Sequence, residues 1–216
     1  VAVPICLDVC ACLKRYDLLY GEIYEKFSRD ILSKGVFLEC MEEFLLDGSL
    51  PEVPPSLIQD YLEYLEHEGL LAAIEASIVR LPIDRLDLHQ VMTLCKRQKL
   101  YDGIIYVHNQ ALKDFISPLN DMLVDLKTIV QTTDLLTDEN IQLGNKILLY
   151  LSCCLCGRAY PVGSLPFKEA KMVSKEIYQF LTTCHPKSGA KDDKSYPYIR
   201  LLLKFDTREF LNVLSM

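Results

Sequence analysis

Residues Leu86–Val130 read LDLHQVMTLCKRQKLYDGIIYVHNQALKDFISPLNDMLVDLKTIV, and this stretch decides the fold. Its first apolar residues have the i, i+3, i+4, i+7 spacing of one helical face: Leu88, Val91, Met92 and Cys95. Asp87 followed by Gln90 is a start signal of the capping-box type. The basic run Lys96–Lys99 comes where the helix should end, as the helix dipole favours. The stretch therefore begins with one amphipathic helix and a basic turn.

Two more helices follow in the same stretch. The second begins at Tyr101 and carries apolar residues on one side as far as Phe115, after which Ser117-Pro118 supplies a cap and a first-turn proline. The third has another one-sided apolar stripe: Leu119, Met122, Leu123, Leu126, Ile129 and Val130. Each helix needs a neighbour to cover its apolar face, and stacked antiparallel helices provide one most simply.

The rest of the chain repeats this pattern. Lys14-Arg15-Tyr16-Asp17-Leu18-Leu19-Tyr20 recurs, with one extra residue, as Lys99–Tyr106, each time at the start of a second helix. Such degenerate repetition of hairpin turns is typical of a helical solenoid. No stretch alternates with period two for long enough to predict a strand. We therefore predict an all-α fold, an α-solenoid of about ten helices in antiparallel pairs.

Several local features are also predicted. The first helix is expected to bury Ile5, Val9 and either Cys12 or Leu13, and Gly35 is expected to end the second helix. The helix that follows residue 137 has apolar residues around most of its circumference and should be the most buried. Capping side chains are expected at three further helix starts: Ser56, Thr137 and Asp206.

Composition narrows the class of protein. The chain has 216 residues, half of them hydrophobic, and 23 basic against 30 acidic side chains give a net charge of −7. No basic stripe is present, so nucleic acid is an unexpected partner. The nine cysteines are odd in number and do not form a secreted disulfide pattern, which indicates a reducing, cytosolic compartment. The most apolar run, residues 147–156, is about half of what a transmembrane helix needs.

The chain is expected to be an interior piece of a longer protein, because it begins at Val1 rather than an initiator methionine and its last helix looks interrupted. We predict one solenoid segment over residues 1–216. The segment Pro51–Pro55 is interpreted as a connector between helices rather than a docking motif. Residues 187–195 have low hydrophobicity and predict a mobile polar loop.

Four groups of residues are candidate sites. The cluster Cys153, Cys154 and Cys156 with Cys184-His185 downstream could suggest zinc, but neighbouring residues in a helix point about a hundred degrees apart and no Cys-x-x-Cys pair exists. We interpret these cysteines as small hydrophobic residues. Cys95 with His108 could suggest a nucleophile pair, but no orienting group or oxyanion hole is evident.

The remaining two candidates are surface features. His67, between two glutamates, lacks the second histidine of a metalloprotease helix and is interpreted as an exposed residue near a helix end. The basic turn Lys96–Lys99 could contact an anionic lipid, but a solvated helix end accounts for it. The sequence therefore predicts no catalytic, cofactor-binding or metal site and no enzyme activity. It leaves partner-binding residues unassigned.

Four longer sequence segments resemble a known protein family. They are LDLHQVMTLC at residues 86–95, LYDGIIYVHNQ at 100–110, FISPL at 115–119 and YPYIRLLLKFDTREFLNVL at 196–214. These segments resemble the vacuolar protein sorting family, in particular the eighth-numbered group, the endosome-specific subunits of the CORVET tethering complex. The resemblance covers most of residues 81–216.

The resemblance implies an interior part of an α-solenoid of clathrin-heavy-chain-like repeats, between an N-terminal β-propeller and a C-terminal RING-type zinc domain. It also implies a scaffold in vesicle-mediated protein transport, acting in membrane tethering and early-endosome fusion. The implied partners are the other CORVET core subunits and, for the whole protein, an early-endosomal Rab GTPase. The implied location is cytoplasmic and peripheral on early endosomes. No ligand of the RING zinc has a counterpart here. Two alternatives remain: a self-assembling coat-type solenoid, and a metal- or cysteine-dependent helical enzyme domain.

Leu123 tests the orientation of the third helix in the opening stretch. Because its position in the apolar stripe predicts a buried side chain, Leu123→Ala should lower the free energy of unfolding by about 2–5 kcal/mol. Urea unfolding followed by circular dichroism measures this. A loss under about 0.5 kcal/mol, which is typical of surface substitutions, would mean that the stripe faces solvent.

Overall fold

The computed structural model describes residues 2–50, 53–132, 137–161, 163–184 and 195–215. Within these ranges the chain is helical and contains no strand, apart from one isolated bridge between Arg158 and Ser164. The predicted all-α fold of helix pairs is therefore confirmed. Of the predicted polar loop 187–195, only Ser195 lies within the described residues, and Pro51 of the predicted connector lies outside them.

The helices divide between two compact units, Val1–Val107 and His108–Met216. In the first unit they are α1 (Ala2–Leu13), α2 (Tyr16–Leu18), α3 (Tyr24–Phe27), α4 (Ile31–Leu46), α5 (Pro55–His67), α6 (Leu71–Arg80), α7 (Leu88–Gln98) and α8 (Tyr101–Val107). A π-helical turn, Leu19–Ile23, joins α2 to α3, and a 3-10 turn, Ile83–Arg85, precedes α7. In the second unit a π-helical turn, His108–Leu112, is followed by α9 (Ser117–Thr132), α10 (Asp138–Leu155), α11 (Phe167–Leu181) and α12 (Pro197–Leu214).

The first unit is a stack of paired helices around one apolar core. Successive helices from α4 to α8 pack against each other, and α6 also contacts α8. Phe37, Met41 and Ile74 are fully buried in this core. The buried Tyr61 hydroxyl lies 3.1 Å from the Ser77 hydroxyl, so the polar group that α5 brings into the core has a partner on α6.

Three turns between paired helices of the first unit share one backbone geometry. After α1, α5 and α7 a single residue is left-handed: Lys14 at φ 54°, Gly69 at φ 72° and Lys99 at φ 55°. The next amide then donates to a carbonyl five residues back, as Leu100 does to Cys95 at 2.9 Å. This is the Schellman arrangement, which ends a helix and reverses the chain within two residues. The sequence repeat at Lys14 and Lys99 therefore marks the same turn twice.

Two predictions about the first unit are wrong. Helix α1 buries Val3, Leu7 and Cys10, whereas Ile5 and Val9 are about half exposed. Apolar residues occur on every side of this helix, so their spacing does not define the buried face. Gly35 does not end a helix, because the break comes earlier, at Asp30, whose carboxylate caps α4 by accepting from the Ser33 amide at 2.9 Å.

The second unit is organised around α10. This helix has nine buried residues, more than any other described helix, as its apolar circumference predicts. It packs against α9, α11 and α12. A Cβ added to Gly144 on α10 would lie 2.0 Å from the Phe205 ring of α12, so glycine permits this close approach. The hydroxyl of the fully buried Tyr150 lies 3.0 Å from both Asn109 Oδ1 and the Phe115 carbonyl oxygen, which share its one proton.

The capping predictions divide between the two units. Asp87 and Thr137 cap α7 and α10 through their side chains, as predicted. Asp206 interrupts α12 with extended backbone and accepts from the Glu209 amide at 2.9 Å, which confirms the predicted helix restart. The prediction for Ser56 is wrong, because α5 begins one residue earlier with Pro55 in its first turn and Pro54 at its N-cap.

Among the described helices, none is both long and apolar enough to cross a membrane.

The left-handed lysines predict a stabilising substitution. Lys14→Gly should raise the free energy of unfolding by roughly 0.5–1 kcal/mol, because glycine adopts positive φ without a Cβ clash. Lys26→Gly is the matched control: it makes the same change in right-handed helix α3 and should lower stability by a similar amount. Urea unfolding of both variants gives the comparison. Equal signs for the two changes would contradict the assigned turn geometry.

Candidate partner-binding surface

Three large exposed apolar side chains lie beside a groove in the first unit. The groove lies between α4 and α5, has a volume of about 490 Å³, and is called the α4–α5 groove below. Its α4 side carries Ile31 and Leu32, which are 89% and 79% exposed, and the half-exposed Val36. Contiguous apolar surface of this kind marks interaction sites more often than the isolated exposed residues found on every protein.

Helix capping keeps the apolar side of the groove in place. Asp30 Oδ2 accepts hydrogen bonds from both the amide and the hydroxyl of Ser33, at 2.9 and 2.8 Å. The side-chain and backbone hydrogen bonds from Ser33 lower the pKa of the Asp30 carboxyl and keep it ionised at the positive end of the helix dipole. The cap fixes the first turn of α4, which contains Ile31 and Leu32.

The floor of the groove depends on a glycine. A Cβ on Gly35 would lie 3.1 Å from the Tyr64 ring of α5, so the backbone of α4 and that ring are in close contact. Leu38, one turn further along α4, is fully buried beneath them. The residue expected to end a helix instead allows two helices to approach, which is a common reason for glycine inside a helix.

The α5 side of the groove is acidic. Asp60 accepts hydrogen bonds from the Tyr24 hydroxyl and from Lys34 Nζ, the latter at 2.8 Å, so it neutralises the lysine in the groove lining. Among the described residues, Glu39 and Glu63 have no cationic side chain within ion-pair distance. The groove therefore combines an apolar wall with uncompensated negative charge.

A second effect shows the same negative field. The pKa of the Tyr64 hydroxyl is raised, first by burial and then by the charges of Glu39, Glu68 and Glu42. Ionisation of a tyrosine adds negative charge, so neighbouring carboxylates oppose it. The Tyr64 ring thus lies where the carboxylates of both helices act together.

A second groove, of about 470 Å³, lies between α5 and α7. Its apolar lining is nearly buried, with Leu62 4% and Leu94 8% exposed. Arg97 Nη2 binds both Glu66 carboxylate oxygens, at 2.7 and 2.8 Å, beside this groove. The pKa of Glu66 is lowered by the hydrogen bond from Gln98, which outweighs burial, and by Arg97. Because Arg97 is paired within the chain, the basic turn Lys96–Lys99 fits the helix-end interpretation better than a lipid contact.

The cysteine cluster divides between buried and exposed residues. Cys153 and Cys154 are buried whereas Cys156 and Cys184 are exposed, and His185 lies outside the described residues. In the described part of the chain no group of three or more potential metal ligands comes together. Burial raises the pKa of the Cys154 thiol to about 12 and also raises that of Cys153. Both thiols therefore remain protonated near neutral pH.

Of the other candidate residues, Cys95 and His67 belong to the first unit and His108 to the second. Burial raises the pKa of the Cys95 thiol to about 12, and its sulfur lies 2.6 Å from where a Cβ on Gly103 would be. His108 Nδ1 is 3.4 Å from Asp114 Oδ2, yet neither ring nitrogen makes a well-aligned hydrogen bond among the described residues. The His67 side chain is 87% exposed at the end of α5, as predicted.

The Asp114 carboxylate has a structural task instead. It accepts from the amides of Ile116 and Ser117, both at 3.0 Å, where α9 begins. Burial opposes its ionisation, but the hydrogen bonds from Ser117 and Ile116 and the nearby His108 outweigh burial and lower its pKa. A helix cap therefore accounts for this acidic residue.

Comparison with known proteins identifies relatives along nearly the whole chain. The family model described as "Vps8 central TPR" matches residues 36–216. The "Vacuolar protein sorting-associated protein 8 homolog" of Mus musculus and that of Homo sapiens are each 41% identical over 99% of this chain. The homolog of Drosophila melanogaster is 37% identical over 93% of the chain. The chain spans about 15% of the length of each of these relatives.

Thiol reactivity tests the interpretation of the cysteines. Iodoacetamide at about pH 8 should modify the exposed Cys12, Cys156 and Cys184 first, because the reagent can reach exposed thiols. Cys95 and Cys154 should react only after denaturation, since burial raises the pKa of each to about 12. Mass spectrometry of tryptic peptides measures the order. Early alkylation of Cys154 in folded protein would revive the cysteine-dependent enzyme hypothesis.

Proposed function

This chain belongs to the Vps8 family of vacuolar protein sorting proteins, and on that premise we propose that it is a scaffold segment of an endosomal vesicle-tethering complex. Its task in vesicle-mediated protein transport is to hold other parts of the complex apart and to offer contact surface to them. The partners are the other core subunits of the CORVET type, and an early-endosomal Rab GTPase binds the whole protein.

The observation that carries this proposal is the large apolar surface that the helices keep in solvent. In the first unit, Ile31 and Leu32 are 89% and 79% exposed, and in the second unit Phe167 is 76% exposed. Core residues are almost fully buried by comparison. Exposed apolar side chains of this size are stabilised when a protein partner covers them. Paired helices also give a long surface for their length, which suits a tether.

Charge supports recruitment through protein rather than lipid. With a net charge of −7, the chain is repelled by the anionic cytoplasmic leaflet. We therefore propose a peripheral location on early endosomes that depends on partner proteins. No cofactor is assigned to this segment, and the RING-type zinc of the family is placed elsewhere in the full-length protein.

We propose no catalytic role, because the buried thiols of Cys95 and Cys154 have raised pKa values and do not supply a nucleophile. The coat-type alternative rests on the same exposed apolar residues, which a second copy could cover as well as a partner could. Sedimentation distinguishes the two, since a coat-type solenoid assembles as its concentration rises whereas a tether segment does not.

Co-purification tests the proposed function. The tagged chain, shown to be helical by circular dichroism, should recover the purified core tether subunits from a defined mixture. A helical-repeat fragment of similar length and net charge, taken from an unrelated protein, should not recover them. Helical protein that retains none of the core subunits would contradict a contact role for these residues and leave them as a spacer.

A further inference from the structure

We infer that the α4–α5 groove binds a basic amphipathic helix of a protein partner, with the apolar side of that helix on Ile31, Leu32 and Val36. The inference rests on the proposed function and names the class of partner at this surface. It follows from three properties of the groove: its length, its apolar wall and its uncompensated carboxylates.

The length of the groove suits a helix. Its lining on α5 and the adjoining C-cap extends from Asp60 to Glu68, with side chains at i, i+3, i+4, i+7 and i+8. The lining on α4 extends over an equal length, from Ile31 to Glu39. At 1.5 Å per residue each side is roughly 12 Å long, which corresponds to about two turns of a docked helix. Two parallel ridges with an apolar floor are the usual receptor for an amphipathic helix.

The apolar wall supplies the affinity. Ile31 and Leu32 lie in the first turn of α4, where the Asp30 cap holds the backbone. Little backbone conformational entropy is therefore lost when a partner covers them. Each large aliphatic side chain that passes from nearly full exposure to full burial strengthens binding by about tenfold or more. The wall is therefore an anchor for leucine-like side chains of the partner.

The carboxylates determine the sign of the charge that the partner must carry. Glu39, Glu63 and Glu68 line the groove, and its one lysine, Lys34, is already paired with Asp60. Glu63 accepts a hydrogen bond from Gln59, and Glu68 lies 3.4 Å from His67, so each retains capacity for a cation. Lysine or arginine beside the apolar side of the partner would lie opposite these groups.

The same charges argue against the other occupants. An anionic membrane surface is repelled by three glutamates around the groove. A second copy of this chain has a net charge of −7 and is a poorer electrostatic match than a basic helix. We therefore infer that a basic helix of a different protein binds in the groove.

Peptide binding to the full-length protein tests this inference. The probe is a fluorescein-labelled peptide of about 14 residues, made of leucine and lysine with leucines at i, i+3, i+4 and i+7. Its matched control replaces every lysine by glutamate. Fluorescence anisotropy at about 0.15 M salt should show saturable binding of the lysine peptide and none of the glutamate peptide.

Variants locate the binding. The double substitution Ile31→Ser/Leu32→Ser should weaken the lysine peptide by at least about tenfold, and Glu39→Gln/Glu63→Gln/Glu68→Gln should weaken it and reduce its salt dependence. Both sets change exposed side chains, so folding is retained. Val124→Ser/Leu149→Ser removes two half-exposed apolar side chains outside the groove and should leave affinity unchanged.

Three outcomes overturn the inference. They are equal binding by the Ile31→Ser/Leu32→Ser variant, equal binding of the glutamate peptide, and a fall in the sedimentation coefficient of full-length protein on Ile31→Ser/Leu32→Ser. The last result would assign the groove to a second copy. If these occur while the chain still recovers core tether subunits, the groove inference fails and the proposed function stands. If only the recovery of core tether subunits fails, the proposed function fails and the groove inference stands.

Discussion

Three reversals of the chain in the first unit, after α1, α5 and α7, each depend on one backbone hydrogen bond. The amide after a left-handed residue donates to the carbonyl five residues earlier, for Arg15 to Cys10, Leu70 to Leu65 and Leu100 to Cys95, each at 2.9 Å. This bond satisfies a carbonyl that the helix end would otherwise leave unpaired, and it turns the chain within two residues. A connection this short leaves the next helix no course except back along the previous one. Each helix then buries one face and presents the other.

The functional interpretation follows from that presented face. In a stack of helix pairs the outer ridges stay accessible, so an exposed groove between two helices is a normal product of the architecture. The α4–α5 groove differs from the α5–α7 groove in its accessibility: Ile31 and Leu32 stand in solvent, whereas Leu62 and Leu94 are nearly buried. The Asp60–Lys34 pair, at 2.8 Å, removes positive charge from the first groove and leaves its glutamates dominant. Apolar exposure and charge sign together make it the better candidate for a partner.

Sequence patterns predicted the features that depend on local physics. The one-sided periodicity of residues 86–130 corresponds to α7, α8 and α9, because amphipathic helices require burial of one stripe. Asp87, Thr137 and Asp206 cap helices through bonds that span two or three residues, so neighbouring positions suffice to predict them. The recurrence of Lys14 and Lys99 marked two turns of equal geometry. Sequence segments that resemble the family indicated the evolutionary relationship, which local physics does not contain.

The sequence by itself thus determined the all-α class, the helix-pair architecture and the family, whereas only the tertiary structure decided which faces meet. Helix α1 carries apolar residues on every side and packs against α4, and in this packing Leu7 is buried whereas Ile5 is about half exposed. Gly35 could have ended a helix, but contact with Tyr64, far along the chain, gives it a packing role. The groove likewise joins residues 31–39 to residues 60–68. Periodicity reports that a face is apolar, but burial depends on a neighbour that is distant in sequence.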